Sequence, residues 1–124
     1  PEGANDAWQS LQSGRLVPST QPDTIADGLL TSLGSYTWPI IRELVKDIFL
    51  ASDPFIIKAM RLIWERMKVI TEPSGAVPLA CLMQLKAEHP DQFEQFRNKR
   101  LALVISGGNI DLDRLPWSSK NSTS

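Results

Sequence analysis

The clearest hydrophobic pattern in this chain lies at residues 54–68, where apolar positions repeat with helical spacing. The apolar positions on one face are Ile56, Met60, Ile63, Trp64 and Met67. Charged residues fall on the opposite face, as in a helix that packs one side against a core. Asp53 suits the N-cap and Pro54 the first helical position. The pattern therefore predicts an amphipathic helix over 54–68.

Weaker patterns predict three more helices, at residues 5–13, 38–45 and 76–86. Gly14 can end the first of them, and Pro39 suits the first turn of the second. The polar stretch after the third predicts a loop with some helix. Four helices are therefore predicted in all.

An unbroken apolar run at residues 101–105 is typical of a strand buried on both faces of a parallel sheet. A shorter run of strand type lies at 48–50. The loop SGGN comes directly after the longer run at 106–109, and open α/β sheets bind ligands at the C-terminal ends of their strands. Together these patterns predict an α/β fold with a mostly parallel sheet flanked by helices.

Composition excludes several classes of function. The 124 residues are 42% hydrophobic and 22% charged, with a formal net charge of -1, which indicates neither nucleic acid nor a membrane surface as partner. Cys81 is the only cysteine, so an internal disulfide is excluded and a reducing compartment such as the cytoplasm is expected. Its apolar neighbours predict a buried thiol. His89 lies in a polar segment and is interpreted as solvated, and one His with one Cys cannot make a structural zinc site.

The ends of the chain predict its domain organisation. It opens on Pro1 with no initiating Met, no strand before it and no signal pattern, which predicts a piece cut from a longer protein. We expect residues 1–117 to be an incomplete part of a larger domain. Residues 118–124 are polar and are expected to be a disordered tail.

Two motifs carry candidate chemistry. Residues 106–109 could border a ligand, because glycines let the backbone approach closely and Ser106 offers a hydroxyl. They could equally form a tight strand-to-helix turn in which Asp111 caps the next helix, and the residues alone leave both interpretations open. At residues 72–76 (EPSGA), a carboxylate and backbone amides could face a site. On the residues alone, a helix N-terminus capped by Ser74 is the favoured interpretation.

Both motifs resemble paired C-terminal motifs of the serine racemase and serine/threonine dehydratase family of fold-type II pyridoxal-phosphate enzymes. The matching segments, in order along the chain, are 24–28 (TIADG), 37–42 (TWPIIR), 64–68 (WERMK), 72–76 (EPSGA) and 104–112 (VISGGNIDL). The resemblance runs from Pro1 to about Leu112. It implies a tryptophan synthase β-like fold, with this chain as the C-terminal part of the large cofactor-binding domain.

The resemblance also implies a cofactor site. Ser106 matches the serine that hydrogen-bonds the pyridine nitrogen of pyridoxal phosphate, and Gly107 lies beside it. Glu72 matches a glutamate near the cofactor ring, and Asp27 and Gly28 match a loop that borders ring and substrate. A hydroxyl cannot stabilise a pyridinium as a carboxylate would, so the ring is expected to stay largely neutral. That electronic tuning suits proton abstraction at the α-carbon, followed by reprotonation or β-elimination.

Metal and nucleotide sites are implied in the same way. The carbonyl of Ala4 and the carboxylate of Asp6 match ligands of a divalent-metal site, and such oxygen ligands suit Mg²⁺ or Ca²⁺. The third ligand would be a glutamate upstream of Pro1. Lys68 and Asn109 resemble positions that contact an activating ATP at a subunit interface. Lys68 also has a simpler role available, at the end of an exposed helix.

The implied activity is interconversion of L- and D-serine, with β-elimination of serine to pyruvate and ammonia. The Schiff-base lysine and the glycine-rich phosphate loop of the family match nothing in this chain, so no catalytic residue is predicted within it. A small amino-acid substrate and a homodimeric parent protein are expected. Two alternatives are a threonine/serine dehydratase of the same family and a non-catalytic α/β fragment.

Overall fold

The computed structural model describes residues 1–118, and within that range every regular element is helical. The disordered tail was predicted over residues 118–124, and residues 119–124 lie outside the described part of the chain. The α-helices are α1 (Asp6–Ser13), α2 (Trp38–Leu44), α3 (Asp53–Leu62), α4 (Pro73–Glu88) and α5 (Pro90–Phe93). A π-helical segment (Ile63–Met67) continues α3, and short 3-10 turns occupy Asp27–Leu29, Glu94–Phe96 and Leu112–Arg114. No helix in this part of the chain is long and apolar enough to cross a membrane.

Helices α3 and α4 pack against each other and form the centre of the core. The fully or almost fully buried residues are Ile56, Ala59, Met60 and Ile63 from α3 and its extension, and Ala76 and Ala80 from α4. The alanines let the two helices approach closely, because their side chains are small. The predicted apolar face is thus confirmed except at Met67, which is 56% exposed. The i→i+5 hydrogen bonds of a π-helix widen the turn and shift side chains out of α-helical register.

The start of α3 differs from the predicted cap. Asp53 is the first helical residue, with Pro54 behind it, and Ser52 occupies the N-cap position. The Asp53 carboxylate instead accepts a hydrogen bond from Thr24 Oγ1 (2.6 Å) and another from the Ile25 amide (2.9 Å). Hydrogen bonds to charged groups are worth about 1.5–3 kcal/mol each. Asp53 therefore fixes the loop that carries Asp27 to the base of α3.

Gln84, buried in α4, ties two other segments to the core. Its Oε1 accepts from the Ser52 amide at 2.8 Å, and its Nε2 donates to Glu2 Oε1 at 2.9 Å. The Glu2 amide in turn donates to the Ala51 carbonyl at 2.9 Å. The first residues of the chain are thereby held against the start of α3 and the middle of α4.

The strand predicted at residues 101–105 does not form within residues 1–118, and neither does the one at 48–50. Val104 is 77% exposed and Leu101 is 46% exposed, so burial on both faces is also wrong for the described chain. A strand needs a neighbouring strand to satisfy its backbone N–H and C=O groups, and no described segment lies beside this one in that way. The predicted parallel sheet is therefore not confirmed.

Cys81 is half-buried in α4, and its thiol donates to the Phe49 carbonyl at 3.4 Å. Burial raises the pKa of this thiol above its ordinary value. Because the thiolate is the reactive form, we expect alkylation by iodoacetamide at pH 8 to be at least about tenfold slower than in the urea-unfolded chain. The raised folded-state pKa also means that the free energy of unfolding falls as the pH rises above the ordinary thiol value. Equal alkylation rates in folded and unfolded protein would contradict this account.

Candidate functional site

Three separate segments of the chain meet at one place. They are the loop at Asp27–Leu29, the residues around the start of α4, and the loop at 106–109. All the residues predicted to border a cofactor lie on them, namely Asp27, Gly28, Glu72, Ser106 and Gly107. We call this meeting place the cradle.

Glu72 joins the start of α4 to the 106–109 loop. Its Oε2 accepts a hydrogen bond from the Asn109 amide at 3.0 Å, and its carboxylate lies directly against Gly107. Gly107 has a φ of +72°, a left-handed conformation that side chains disfavour, and a Cβ there would overlap the Glu72 carboxylate. The glycine is therefore required both by its backbone angle and by its contact.

Gly28 joins the first loop to the same helix start. Its amide donates to Ser74 Oγ at 3.1 Å and to the Asp27 carboxylate at 2.9 Å. The Ser74 hydroxyl was predicted to cap α4, but Glu72 occupies the N-cap position and no side chain within residues 1–118 caps this helix. Ser74 instead accepts the hydrogen bond from the Gly28 amide and so holds the loop against the helix. Its position directly after Pro73 in the sequence could not indicate this role.

Ser106 is exposed, while its carbonyl faces the interior. A Cβ at Gly75 would overlap the Ser106 carbonyl oxygen. The loop therefore lies so close to α4 that only a glycine can occupy this position. The hydroxyl of the fully buried Thr71 lies 3.4 Å from the same oxygen. These contacts set the backbone of Ser106 and leave its side chain accessible to a ligand. The role of Thr71 could not be predicted, since a single threonine before a motif carries no recognisable sequence signal.

An open cavity of about 450 Å³ borders the cradle. Asp27, Pro73 and Asn109 line it on the cradle side, and Asp111 and Arg114 line it too. Ligand sites combine room with a small number of placed polar groups. The lining has room and a few polar side chains, while Glu72, Ser106 and Gly107 are not among its residues and lie in the adjoining part of the cradle. The exposed Ser106 hydroxyl fits the pyridine nitrogen of pyridoxal phosphate, because a hydroxyl can donate a hydrogen bond to a ring nitrogen.

The residues predicted to bind a metal have a structural role in the described chain. Asp6 is the first residue of α1 and is 7% exposed, and its Oδ2 accepts from the Leu33 amide at 2.8 Å. Asp6 and Ala4 line a second cavity, of about 320 Å³. Within residues 1–118, no group of three or more His, Cys, Asp or Glu side chains could hold a metal ion. Metal binding at Ala4 and Asp6 stays a prediction.

The residues predicted to contact ATP also have observed partners. Lys68 ends the π-helical segment with a φ of +59°, and its Nζ donates to the Glu65 carbonyl at 2.8 Å. Asn109 donates its backbone amide to Glu72. Nucleotide binding by this pair stays a prediction. His89, which was predicted to be solvated, is exposed just after α4.

Comparison with known proteins points to one family. The profile of the family described as "Pyridoxal-phosphate dependent enzyme" matches residues 1–107. A β-hydroxyaspartate dehydratase of Paracoccus denitrificans is 42% identical over 118 residues, which is 95% of this chain and 35% of that protein. A serine racemase of Dictyostelium discoideum is 46% identical over 117 residues, covering 93% of this chain and 35% of the relative.

Solved structures give the same result. The structure of maize serine racemase superposes with a TM-score of 0.81 at 37% identity, covering 91% of this chain and 34% of the other. The crystal structure of Dictyostelium discoideum serine racemase superposes with a TM-score of 0.76 at 43% identity, covering 90% of this chain and 34% of the other. The chain spans about a third of the length of the curated relatives that it matches.

Proposed function

Because the chain belongs to the pyridoxal-phosphate dependent enzyme family, we propose that it is the C-terminal part of a racemase and ammonia-lyase that acts on serine. One observation carries the proposal: residues 27–28, 72 and 106–109 converge on a glycine-lined cradle through direct contacts. Serine racemases at 40% to 46% identity support the choice of substrate.

Each cradle residue has a specific task in this proposal. When bound, the cofactor supplies an electron sink for charge that develops at the α-carbon of the substrate. The Ser106 hydroxyl donates a hydrogen bond to the pyridine nitrogen and leaves that nitrogen largely unprotonated. Glu72 holds the 106–109 loop through the Asn109 amide. The ring is bordered by Asp27, Gly28 and Gly107, which leave the space of the ring unoccupied.

The rest of the parent protein would supply what this chain lacks. We propose that residues 1–117 belong to the large cofactor-binding domain and that residues 101–105 join its parallel sheet there. The exposed apolar side chains of Leu101, Leu103 and Val104 support this, because a strand inside such a sheet needs apolar residues on both faces. The proposal also includes a homodimeric protein in the cytoplasm. It places Mg²⁺ or Ca²⁺ at Ala4 and Asp6, and ATP at Lys68 and Asn109.

A second candidate function is elimination without racemisation. Two relatives that are 42% and 43% identical are a β-hydroxyaspartate dehydratase and an L-threo-3-hydroxyaspartate ammonia-lyase. Such an enzyme would remove the β-hydroxyl and the amino group of a 3-hydroxy amino acid, giving a keto acid and ammonia. The cradle described above would serve this reaction equally well, because racemisation and elimination both begin with loss of the α-proton.

Product analysis of the full-length protein separates the candidates. With L-serine we expect D-serine, measured by chiral chromatography, together with pyruvate and ammonia. L-Threonine and L-threo-3-hydroxyaspartate are assayed in parallel, with release of 2-oxobutyrate or oxaloacetate as the signal. A keto acid without D-serine would refute racemisation and favour the second candidate. Absence of any product in the presence of pyridoxal phosphate would refute both.

A further inference from the structure

The indole of Trp64 is bonded to the segment that leads into the cradle. Its Nε1–H donates to the Thr71 carbonyl at 2.9 Å, a good distance for an N–H···O hydrogen bond. Thr71 is fully buried and directly precedes Glu72, so the indole fixes the backbone from which the Glu72 carboxylate projects. Trp64 lies in the π-helical segment Ile63–Met67, and π-helical turns are frequent at functional sites.

The same indole also contacts Trp117, a residue outside the cradle. Trp117 packs edge-to-face on Trp64, with ring centroids 5.4 Å apart and an interplanar angle of 85°. Trp117 lies after the 106–109 loop in the chain, and both tryptophans pack partly buried against the hydrophobic core. Aromatic pairs in this geometry contribute about 0.5–1.5 kcal/mol beyond their area burial. Trp64 therefore contacts Thr71, which precedes the start of α4, and Trp117, which follows the 106–109 loop in the chain.

We propose that Trp64 and Trp117 form a tryptophan clamp that sets the distance between Glu72 and the 106–109 loop. They are positioning residues: neither is required to touch the cofactor, and both act through the Thr71 carbonyl and the chain after Asn109. The clamp predicts that loss of the indole N–H loosens the Asn109–Glu72 hydrogen bond even without cofactor. Its consequence for cofactor affinity rests on the function proposed above.

A simple packing role would have a different signature. If the tryptophans only filled core volume, then Trp64→Phe would leave the Asn109 amide as protected as before, because the phenyl ring keeps most of the contact. If the clamp is correct, the same substitution leaves the buried Thr71 carbonyl without its donor. The loss of that hydrogen bond would loosen the position of Glu72 and of the loop bonded to it.

The experiment uses the full-length protein and its Trp64→Phe, Trp117→Ala and Trp117→Phe variants, with Trp8→Phe in α1 as the matched control. Amide hydrogen exchange is measured at Asn109 without cofactor, and pyridoxal phosphate is then titrated into each protein. We expect exchange at Asn109 about tenfold faster in Trp64→Phe, the size of effect caused by one lost hydrogen bond to a buried group. Cofactor affinity should fall by a similar factor, and Trp8→Phe should match the wild type in both.

The two Trp117 variants repeat the test without removing the donor of the Thr71 hydrogen bond. Faster exchange at Asn109 in Trp117→Ala, restored by Trp117→Phe, supports the clamp. Wild-type exchange at Asn109 in either Trp64→Phe or Trp117→Ala overturns it, whatever the cofactor titration gives. If the wild-type protein binds no pyridoxal phosphate, the proposed function fails, while the exchange data still decide the clamp.

Discussion

Replacement of Gly107 by alanine is expected to weaken binding of pyridoxal phosphate to the full-length protein at least about tenfold and to lower the free energy of unfolding by about 2–4 kcal/mol. Two costs add together. The left-handed backbone conformation, with a φ of +72°, disfavours any residue with a Cβ. The new methyl group would also overlap the Glu72 carboxylate, so the 106–109 loop must move away from the start of α4.

Gly14 provides the matched control for this substitution. It has nearly the same backbone angle, a φ of +69°, but no atom of residues 1–118 lies within 4 Å of the position that a Cβ would take. Gly14→Ala should therefore lower the free energy of unfolding only through its backbone conformation, by about 1–2 kcal/mol, and leave cofactor binding unchanged. Urea unfolding and cofactor titration measure both quantities. If Gly107→Ala behaved like Gly14→Ala in both measurements, the contact between Glu72 and the loop would be refuted.

Replacement of Ser106 by alanine is expected to weaken cofactor binding or slow turnover by about two- to tenfold in the full-length protein, with the stability unchanged. Ser106 is exposed, so the fold does not depend on its hydroxyl. A neutral hydrogen bond contributes about 0.5–1.5 kcal/mol, which corresponds to a change of that order in binding or rate. Ser35→Ala, at another exposed serine, is the control and should alter neither quantity. Unchanged affinity and unchanged kinetics in Ser106→Ala would refute the assigned role.

The helical part of this fold could be predicted because its signals are local. Residues 54–68 carry a repeat of apolar positions and a proline at the helix start, and both features act within a few residues. The structure places Ile56 and Met60 in the core as the repeat predicts. Met67 was mispredicted because the helix changes to π-helical hydrogen bonding after Leu62, which shifts side-chain directions without a clear mark in the sequence.

The strand predicted at 101–105 is unconfirmed for a different physical reason. An apolar run such as 101–105 indicates only that its side chains favour burial, whereas a strand exists through hydrogen bonds to another strand. Within residues 1–118 that partner is absent, and Val104 is left exposed. Local sequence cannot report whether the partner is present.

The cradle could be predicted only through the family resemblance. Spacing alone does not bring Glu72 and Gly107 together, since their contact depends on how the chain returns to α4. The supporting residues gave still less signal. Trp64 was interpreted as a core residue because it lies on the apolar face of residues 54–68. Only the structure shows that its indole N–H donates to the Thr71 carbonyl.

The central claim is that the cradle borders the ring of pyridoxal phosphate, with Ser106 at the pyridine nitrogen. A crystal structure of the full-length protein with this cofactor tests the claim most directly, through the distance from the pyridine nitrogen to Ser106 Oγ. We predict a hydrogen bond of about 2.7–3.1 Å, with Glu72 still accepting from the Asn109 amide. A ring whose nitrogen faces another residue, or a cofactor bound away from residues 106–109, would contradict the account.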